Sequence, residues 1–224
     1  MRGSTNLSIV VSITTDVDPF HKHVDRKRMI IANSDQITQI IRRRRTVKPK
    51  MMSDKPVDES IIREMLENAN WAPTHGMTEP WRFHVFSGDA RLRLAQFLAA
   101  TYQQLTTPES FKQNKYDSLL ENPLRAPVVI AIGMKRQEIE KIRELDEIQA
   151  VACAVQNMHL TAAAHGVGAF WSTNVAAVSE QMRDFMGLGP KDQAVGLFYV
   201  GHPAGVWPES TRGSIDEKVV WLNE

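Results

Sequence analysis

A single cysteine, Cys153, stands among the 224 residues. That excludes an intrachain disulfide framework and any zinc site built on two or more thiolates. Charge of one sign is also scarce: 27 Lys and Arg face 26 Asp and Glu, a formal net charge of +1. Such a balance argues against a surface that acts as a whole as a nucleic-acid or anionic-membrane sink. No apolar run approaches the ~18 residues that a membrane helix requires. H-E-x-x-H, G-x-S-x-G and P-loop signatures are missing. The dinucleotide fingerprint is missing too. The Gly166–Gly168 pair closes a helical pattern, whereas G-x-G-x-x-G lies between a strand and the start of a helix, so a Rossmann domain is disfavoured.

What remains is an ordinary globular composition, 42% hydrophobic and 24% charged, neither disordered nor collagen-like. At this length one domain is expected, and about 70% of the unfolded surface can be buried without a staple. Residues 1–33 read as an extension and 34–224 as the folded domain. The apolar patch Ser8–Ile13 is too short for a secretory core and has Asp16 and Asp18 behind it; His21–Arg28 is basic and polar. A loose arm, a cloning remnant at the opening MRGS or a weak edge strand would account for the extension. An arm that embraces a partner is the alternative. The expected location is cytoplasmic.

Periodicity predicts a first helix from Asn33–Asp35, with capping-box spacing from Asn33 to Gln36 and Ile37, Ile40 and Ile41 on one face. A second starts near Pro56 and stops before Pro73, burying Ile61, Ile62, Met65, Leu66 and Ala69. Trp81–Phe86 alternates as a strand. A helix opens near Asp89, and 106–123 reads as a loop or short-helix excursion. Pro127–Gly133 suits a buried central strand. Glu144–His165 is the longest helical pattern. It holds six alanines between Ala150 and Ala164, and its all-round apolarity predicts burial on several sides, in a domain centre or a subunit interface. Cys153 lies inside it and reads as a small packing residue. Ala169–Ser172 and Ala194–Val200 read as strands, with a Ser179-capped helix between them. Few clean strand–helix–strand units occur, so the fold class is α+β, a mixed or antiparallel sheet wrapped by helices.

Three segments can carry chemistry. Arg42–Lys50 has six basic residues in nine and no acid. It suits a solvated helix end, a nucleic-acid patch, or an anion clamp in which Arg and the Thr46 hydroxyl hold a phosphate. Trp71–Phe83 sets two prolines and a glycine among three aromatics. It forms either a packed turn or a stiff frame that turns Thr74, His75 and Thr78 towards a flat ligand. His165–Thr173 places two glycines where backbone approaches a ligand closely, or where a helix is simply capped.

In their order and spacing these segments resemble the nitroreductase family of FMN-dependent oxidoreductases. The likeness is carried by Arg44-Arg45-Thr46, by Ala72-Pro73-Thr74-His75 running into Glu79-Pro80-Trp81-Arg82-Phe83, by the Ala-rich helix ending in His165-Gly166-Val167-Gly168 with Phe170-Trp171-Ser172-Thr173, and by Leu197–Pro203. It spans roughly Ser34–Val220 and is nearest to the compact bacterial members. The resemblance implies an obligate homodimer with two FMN sites at its interface and the Ala-rich helix at its centre. Arg44, Arg45 and Thr46 match the segment holding the FMN phosphate and ribityl chain, and Arg212 matches a second phosphate-side cation. Trp71 and His75 match loop positions bordering the flavin, His75 from the partner subunit. Trp171, Ser172 and Thr173 match the stretch along the ring. Thr161, Ala162, Ala163, Ala164, His165 and Gly166 border the approach of a nicotinamide.

The implied reaction passes hydride from NADH or NADPH through the flavin to an acceptor such as a nitroaromatic or quinone, in ping-pong fashion, with no protein acid or base and no metal. Alternatives are a related flavin reaction (dehydrogenation, dehalogenation or flavin breakdown), or an anion- or nucleic-acid-binding protein using the Arg42–Arg45 run. Family members often carry Ser in place of Thr46 and Arg in place of Lys48, where Lys loses bidentate geometry. Glu79 stands where Asn or Gln is commoner, and a carboxylate beside the flavin bears on substrate choice.

Overall fold

The computed structural model describes residues 34–223. The chain divides into two units, 1–37 and 38–224; of the first, only the opening turn of a helix is described. The predictions on residues 1–33, including the Asn33 cap, lie outside the described residues.

Helix α1 spans Ser34–Arg43, with Asp35 in its first turn and Arg42 and Arg43 in its last, the arrangement the helix dipole favours. Helix α2 spans Glu59–Asn70. It begins later than its proline suggests because Asp58 is the cap, its Oδ1 accepting from the Ser60 amide at 2.8 Å. Four strands follow in the order β1-β2-β4-β3, all antiparallel: β1 Trp81–Phe86, β2 Val128–Met134, β3 Gly168–Ser172 and β4 Gln193–Gly201. Every residue of β2 is buried. Val128, Ile130, Ile132 and Met134 meet the layer of α2 and α5 (Glu144–Ala164), while Val129 and Ala131 meet α3 (Ala90–Leu105), α4 (Gln113–Arg125) and α6 (Glu180–Phe185). Helices therefore cover both faces, and the continuous apolar run follows from that. Among the described residues no helix is long and apolar enough to cross a membrane.

Two expectations change. Residues 113–125 form the full 13-residue helix α4, where a loop or short-helix excursion was expected over 106–123. Its signal is weak because only Leu119 and Pro123 are buried. In α5, Cys153 is exposed. The buried face runs through Ala150, Val151, Ala154, Val155, Met158 and Ala162, and leaves an open stripe at Leu145, Gln149, Cys153 and Gln156. The apolarity around that stripe is not explained by packing within this chain.

Beyond α1 the arginine segment is drawn onto the sheet edge. Thr46 bridges Ala169 in parallel, and the Val47 amide donates to the Ala169 carbonyl at 3.0 Å. Val47 is fully buried against Gly168, where an added Cβ would lie 2.6 Å from the Val47 Cβ. We expect Gly168→Ala to cost about 1–3 kcal/mol by overpacking. Val47→Ala should absorb part of that loss. Thermal unfolding of both single variants and the double variant checks the coupling; strictly additive losses would contradict it.

Candidate functional site

The arginine segment gathers cations without acids. Among the described residues the Arg44 guanidinium has no hydrogen bond or ion pair, and the Arg45 guanidinium donates only to the carbonyls of Arg42 and Arg44, at 2.5 and 2.9 Å. Arg212, arriving from the far end of the chain, bonds only Ser210 and the Thr211 carbonyl. Burial, then the neighbouring guanidiniums of Arg212 and Arg45, lower the Arg44 pKa. Like charges that close together are unfavourable unless an anion joins them. The C-terminal segment is pinned here by the Trp207 indole, which donates to the Arg43 carbonyl at 2.7 Å.

Two buried nitrogens in this region lack partners, Arg45 Nε and His159 Nδ1. His159 lies on α5, 8% exposed, with its ring edge against Phe198 at 4.5 Å between centroids. It stands within electrostatic reach of Arg44. Buried polar atoms are almost always bonded, so orphans in a cationic pocket mark a place for an acceptor group. The sequence offered no separate signal for His159: a lone histidine at a core-facing helical position reads as packing.

The sheet edge also positions Trp171. Gly196, at φ +132°, sits beside a bulge in the β2–β4 pairing; an added Cβ there would lie 2.7 Å from the Trp171 indole nitrogen. That nitrogen donates to the Val195 carbonyl at 3.2 Å. The Ser172 hydroxyl accepts from the Asn174 amide at 3.2 Å, and Thr173 is exposed. The bridge at Thr46 thus brings Arg44, Arg45, Thr46 and Arg212 alongside the strand that carries Trp171, Ser172 and Thr173.

The proposed nicotinamide stretch divides. Thr161 and Ala162 are buried in the α2–α5 seam, Thr161 accepting from the Asn68 amide at 2.9 Å and donating to the Asn157 carbonyl. Ala163 is half-buried, and Ala164, His165 and Gly166 are exposed. His165 pairs with Glu64 of α2 at 2.9 Å. Gly166, at φ +67°, completes a C-terminal cap in which the amides of Gly166 and Val167 bond the carbonyls of Ala163 and Ala162.

Trp71 and His75 stand apart from this cluster. Trp71 is 79% exposed. His75 faces Asp146 at 3.4 Å, in the first turn of α5. Asp146 and His159 are separated by about 20 Å of helix, at ~1.5 Å per residue. The loop holding His75 is strained: Met77 and Glu79 have φ of 54° and 43°. Its hydrogen bond from the Glu79 amide to Thr74 Oγ1, at 3.2 Å, keeps that turn closed.

The model of the nitroreductase family matches residues 41–202. The provisionally named NAD(P)H nitroreductases YfhC of Bacillus subtilis (strain 168) and YdjA of Escherichia coli (strain K12) are each 27% identical, over 75% of this chain and 84% and 88% of theirs. An iodotyrosine deiodinase of Hydra vulgaris is 25% identical over 84% of this chain and 73% of its own. Among solved structures, a nitroreductase-like protein of Bacillus cereus superposes with a TM-score of 0.73 at 24% identity, over 84% of this chain and 96% of its own. A Desulfovibrio desulfuricans protein solved in complex with FMN gives 0.61 at 26%, over 84% and 97%.

Burial, with Arg44 second, pushes the His159 pKa from 6.5 down to about 4. Between those values the unfolded chain takes up a proton that the folded chain refuses. Stability is therefore complete above pH 6.5 and falls as the pH drops towards 4. The loss is at most about 3 kcal/mol. Denaturant unfolding at about pH 7 and about pH 4.5 should show His159→Leu losing less stability than the native chain across that interval; equal losses would count against the assignment.

Proposed function

This chain belongs to the nitroreductase family, and we propose that it is an FMN-dependent oxidoreductase acting on small molecules. The observation that carries the reading is the acid-free cluster of Arg44, Arg45 and Arg212 beside two orphaned buried nitrogens. Those residues fit the cofactor's phosphate: a dianion relieves the repulsion among three guanidiniums and gives the Arg45 Nε–H an acceptor. Thr46, exposed on the bridged segment, has a hydroxyl for the ribityl chain. Trp171, Ser172 and Thr173 border the ring. The chemistry that FMN supplies when bound is two-electron transfer from NADH or NADPH to an oxidised acceptor such as a nitroaromatic or quinone.

The chain's own part is to bind and to orient. Arg44 and Arg45 hold negative charge, and the half-buried indole of Trp171, fixed by the Val195 carbonyl, gives the edge a rigid wall. No acid–base pair is required of the protein, and donor and acceptor use one open slot in turn, which gives ping-pong kinetics. The extent of the deiodinase likeness supports dehalogenation as the second reading, so iodophenols belong beside nitroarenes and quinones in the steady-state comparison.

The active form is proposed to be a homodimer. The open stripe of α5, together with Trp71 and Met77 at 79% and 75% exposure, supports a second copy as the cover. Pairing two α5 helices antiparallel would bring the partner's His75 loop to the end of α5 that holds His159. That removes the separation of about 20 Å within one chain.

Arg44→Ala and Arg45→Ala should each yield protein that purifies without the visible flavin absorption. Removing a charge-assisted phosphate contact costs about 1.5–3 kcal/mol, some ten- to hundredfold in FMN affinity by titration. A variant that retains its full yellow colour would overturn the role. Cys153→Arg, on the open stripe, should sediment as a monomer and release FMN; a stable flavin-loaded dimer would show that this stripe is not the interface.

A further inference from the structure

Residues 219–222 are apolar without interruption, Val-Val-Trp-Leu. Val220, Trp221 and Leu222 are 82%, 81% and 87% exposed. The run is extended where it begins, with Val219 at φ −127° and ψ 133°. β-branched and aromatic residues in an extended stretch are strand material, and a contiguous exposed run of them marks a surface that another molecule covers.

The stretch leading to this run carries Arg212. Upstream it is fastened by the Trp207 indole at the Arg43 carbonyl. Beyond that point its hydrogen bonds among the described residues are local. Arg212 bonds Ser210 and the Thr211 carbonyl, Asp216 bonds Ser214, and Lys218 bonds the carbonyls of Ser214 and Ile215. A cation on a stretch fastened at one end loses conformational freedom when it grips an anion, and that loss weakens binding. A second fastening beyond Arg212 would remove it.

The far end of the sheet offers one. Strand β1 pairs only with β2, and no strand among the described residues lies on its outer side. Beside it, in the α2–α5 layer, opens a hollow of about 510 Å³ that Leu66, Trp81 and Phe83 line. A free edge next to an apolar hollow takes an extended segment as an added strand, main chain on the edge and alternate side chains in the hollow. The chain's own tail stands open to solvent instead of lying on this edge. The hollow shares its layer with α5, whose open stripe is the proposed contact between copies. The occupant that fits is the tail of a second copy.

We propose that residues 219–222 of one copy add a strand to the β1 edge of the other, with Trp221 in the hollow, and that this docking fixes Arg212, so that FMN affinity depends on a contact remote from the cofactor. The docking rests on the homodimer reading and its effect on FMN on the flavin reading, so each is measured by itself. Docking is read without flavin. His84 and Val220 are both exposed and fall on the side of the added strand away from the hollow. In a Cys153→Ser chain carrying His84→Cys and Val220→Cys, a short bismaleimide should give a covalent dimer that neither cysteine gives alone. A link within one chain, or none, overturns the docking.

Ending the chain at Lys218 leaves Arg44, Arg45 and Arg212 in place and should weaken FMN at least about tenfold by titration. Trp221→Asp should lose affinity likewise, and Trp221→Phe should keep most of it. In an Arg212→Ala chain the same truncation should cost little more, because both changes act through one contact. Equal losses in the two backgrounds overturn the coupling, as does a truncated chain that binds FMN like the native one. If the native chain takes up no FMN while the cross-link forms, the flavin reading falls and the docked tail stands. If it binds FMN and no cross-link forms, the tail falls and the flavin reading stands.

Discussion

The functional half of this molecule depends on one short contact, the pairing of Thr46 and Val47 with Ala169 at the free edge of β3. An arginine-rich segment following a helix has no reason of its own to lie against a sheet; repulsion and hydration favour its departure into solvent. One backbone hydrogen bond contributes only about 0.5–1.5 kcal/mol net. The burial of Val47 in the notch left by Gly168 adds apolar contact at the same point, about 1.5–3 kcal/mol for a fully buried aliphatic side chain. Together they hold three guanidiniums nearer to one another than their charges favour. That unfavourable electrostatic energy is offset by the fold, and the proposed anion would relieve it.

A contrast within the same chain shows that the cations are not simply badly paired. Arg136 and Glu147 form a buried ion pair, and both are tied further: Arg136 donates to the Ile142 carbonyl at 3.0 Å, and Glu147 accepts from the Gln137 amide at 3.3 Å. At Arg136 the chain supplies a carboxylate and satisfies the remaining groups, as a buried pair requires. At Arg44, Arg45 and Arg212 it supplies none among the described residues. The contrast between the two sites, some ninety residues apart in sequence, supports the binding role proposed for the arginine cluster.

The elements with strong local patterns were legible from the sequence. Trp81–Phe86 alternates, β2 is a continuous apolar run bounded by Pro and Gly, and α5 carries both its period and its glycine cap. The arginine segment stood out by residue type, and the Trp171 stretch through the family resemblance. What escaped was whatever depends on a neighbour far along the chain. Helix α4 packs only Leu119 and Pro123 into the core, so its periodicity was too faint to separate from loop. Cys153 has apolar neighbours on both sides in sequence, yet points along the one stripe that this chain leaves open. The partners of the Thr161 hydroxyl, Asn68 and Asn157, could not be read from the sequence. His159 became informative only when the fold set it beside Arg44.

The free edge of the sheet is where the two layers meet. An edge strand presents alternate residues to two different layers, and β3 is such an edge, with its outer side taken only by the isolated bridge from Thr46. Trp171 joins the α2–α5 layer and Phe170 the α3–α4 layer. The same alternation reaches the bridged segment: Val47 joins the α3–α4 layer, while Thr46 beside it stays exposed. On the proposed reading, the arginines that precede this bridge would hold the cofactor's phosphate, and their placement would rest on the Val47–Gly168 notch rather than on any ion pair.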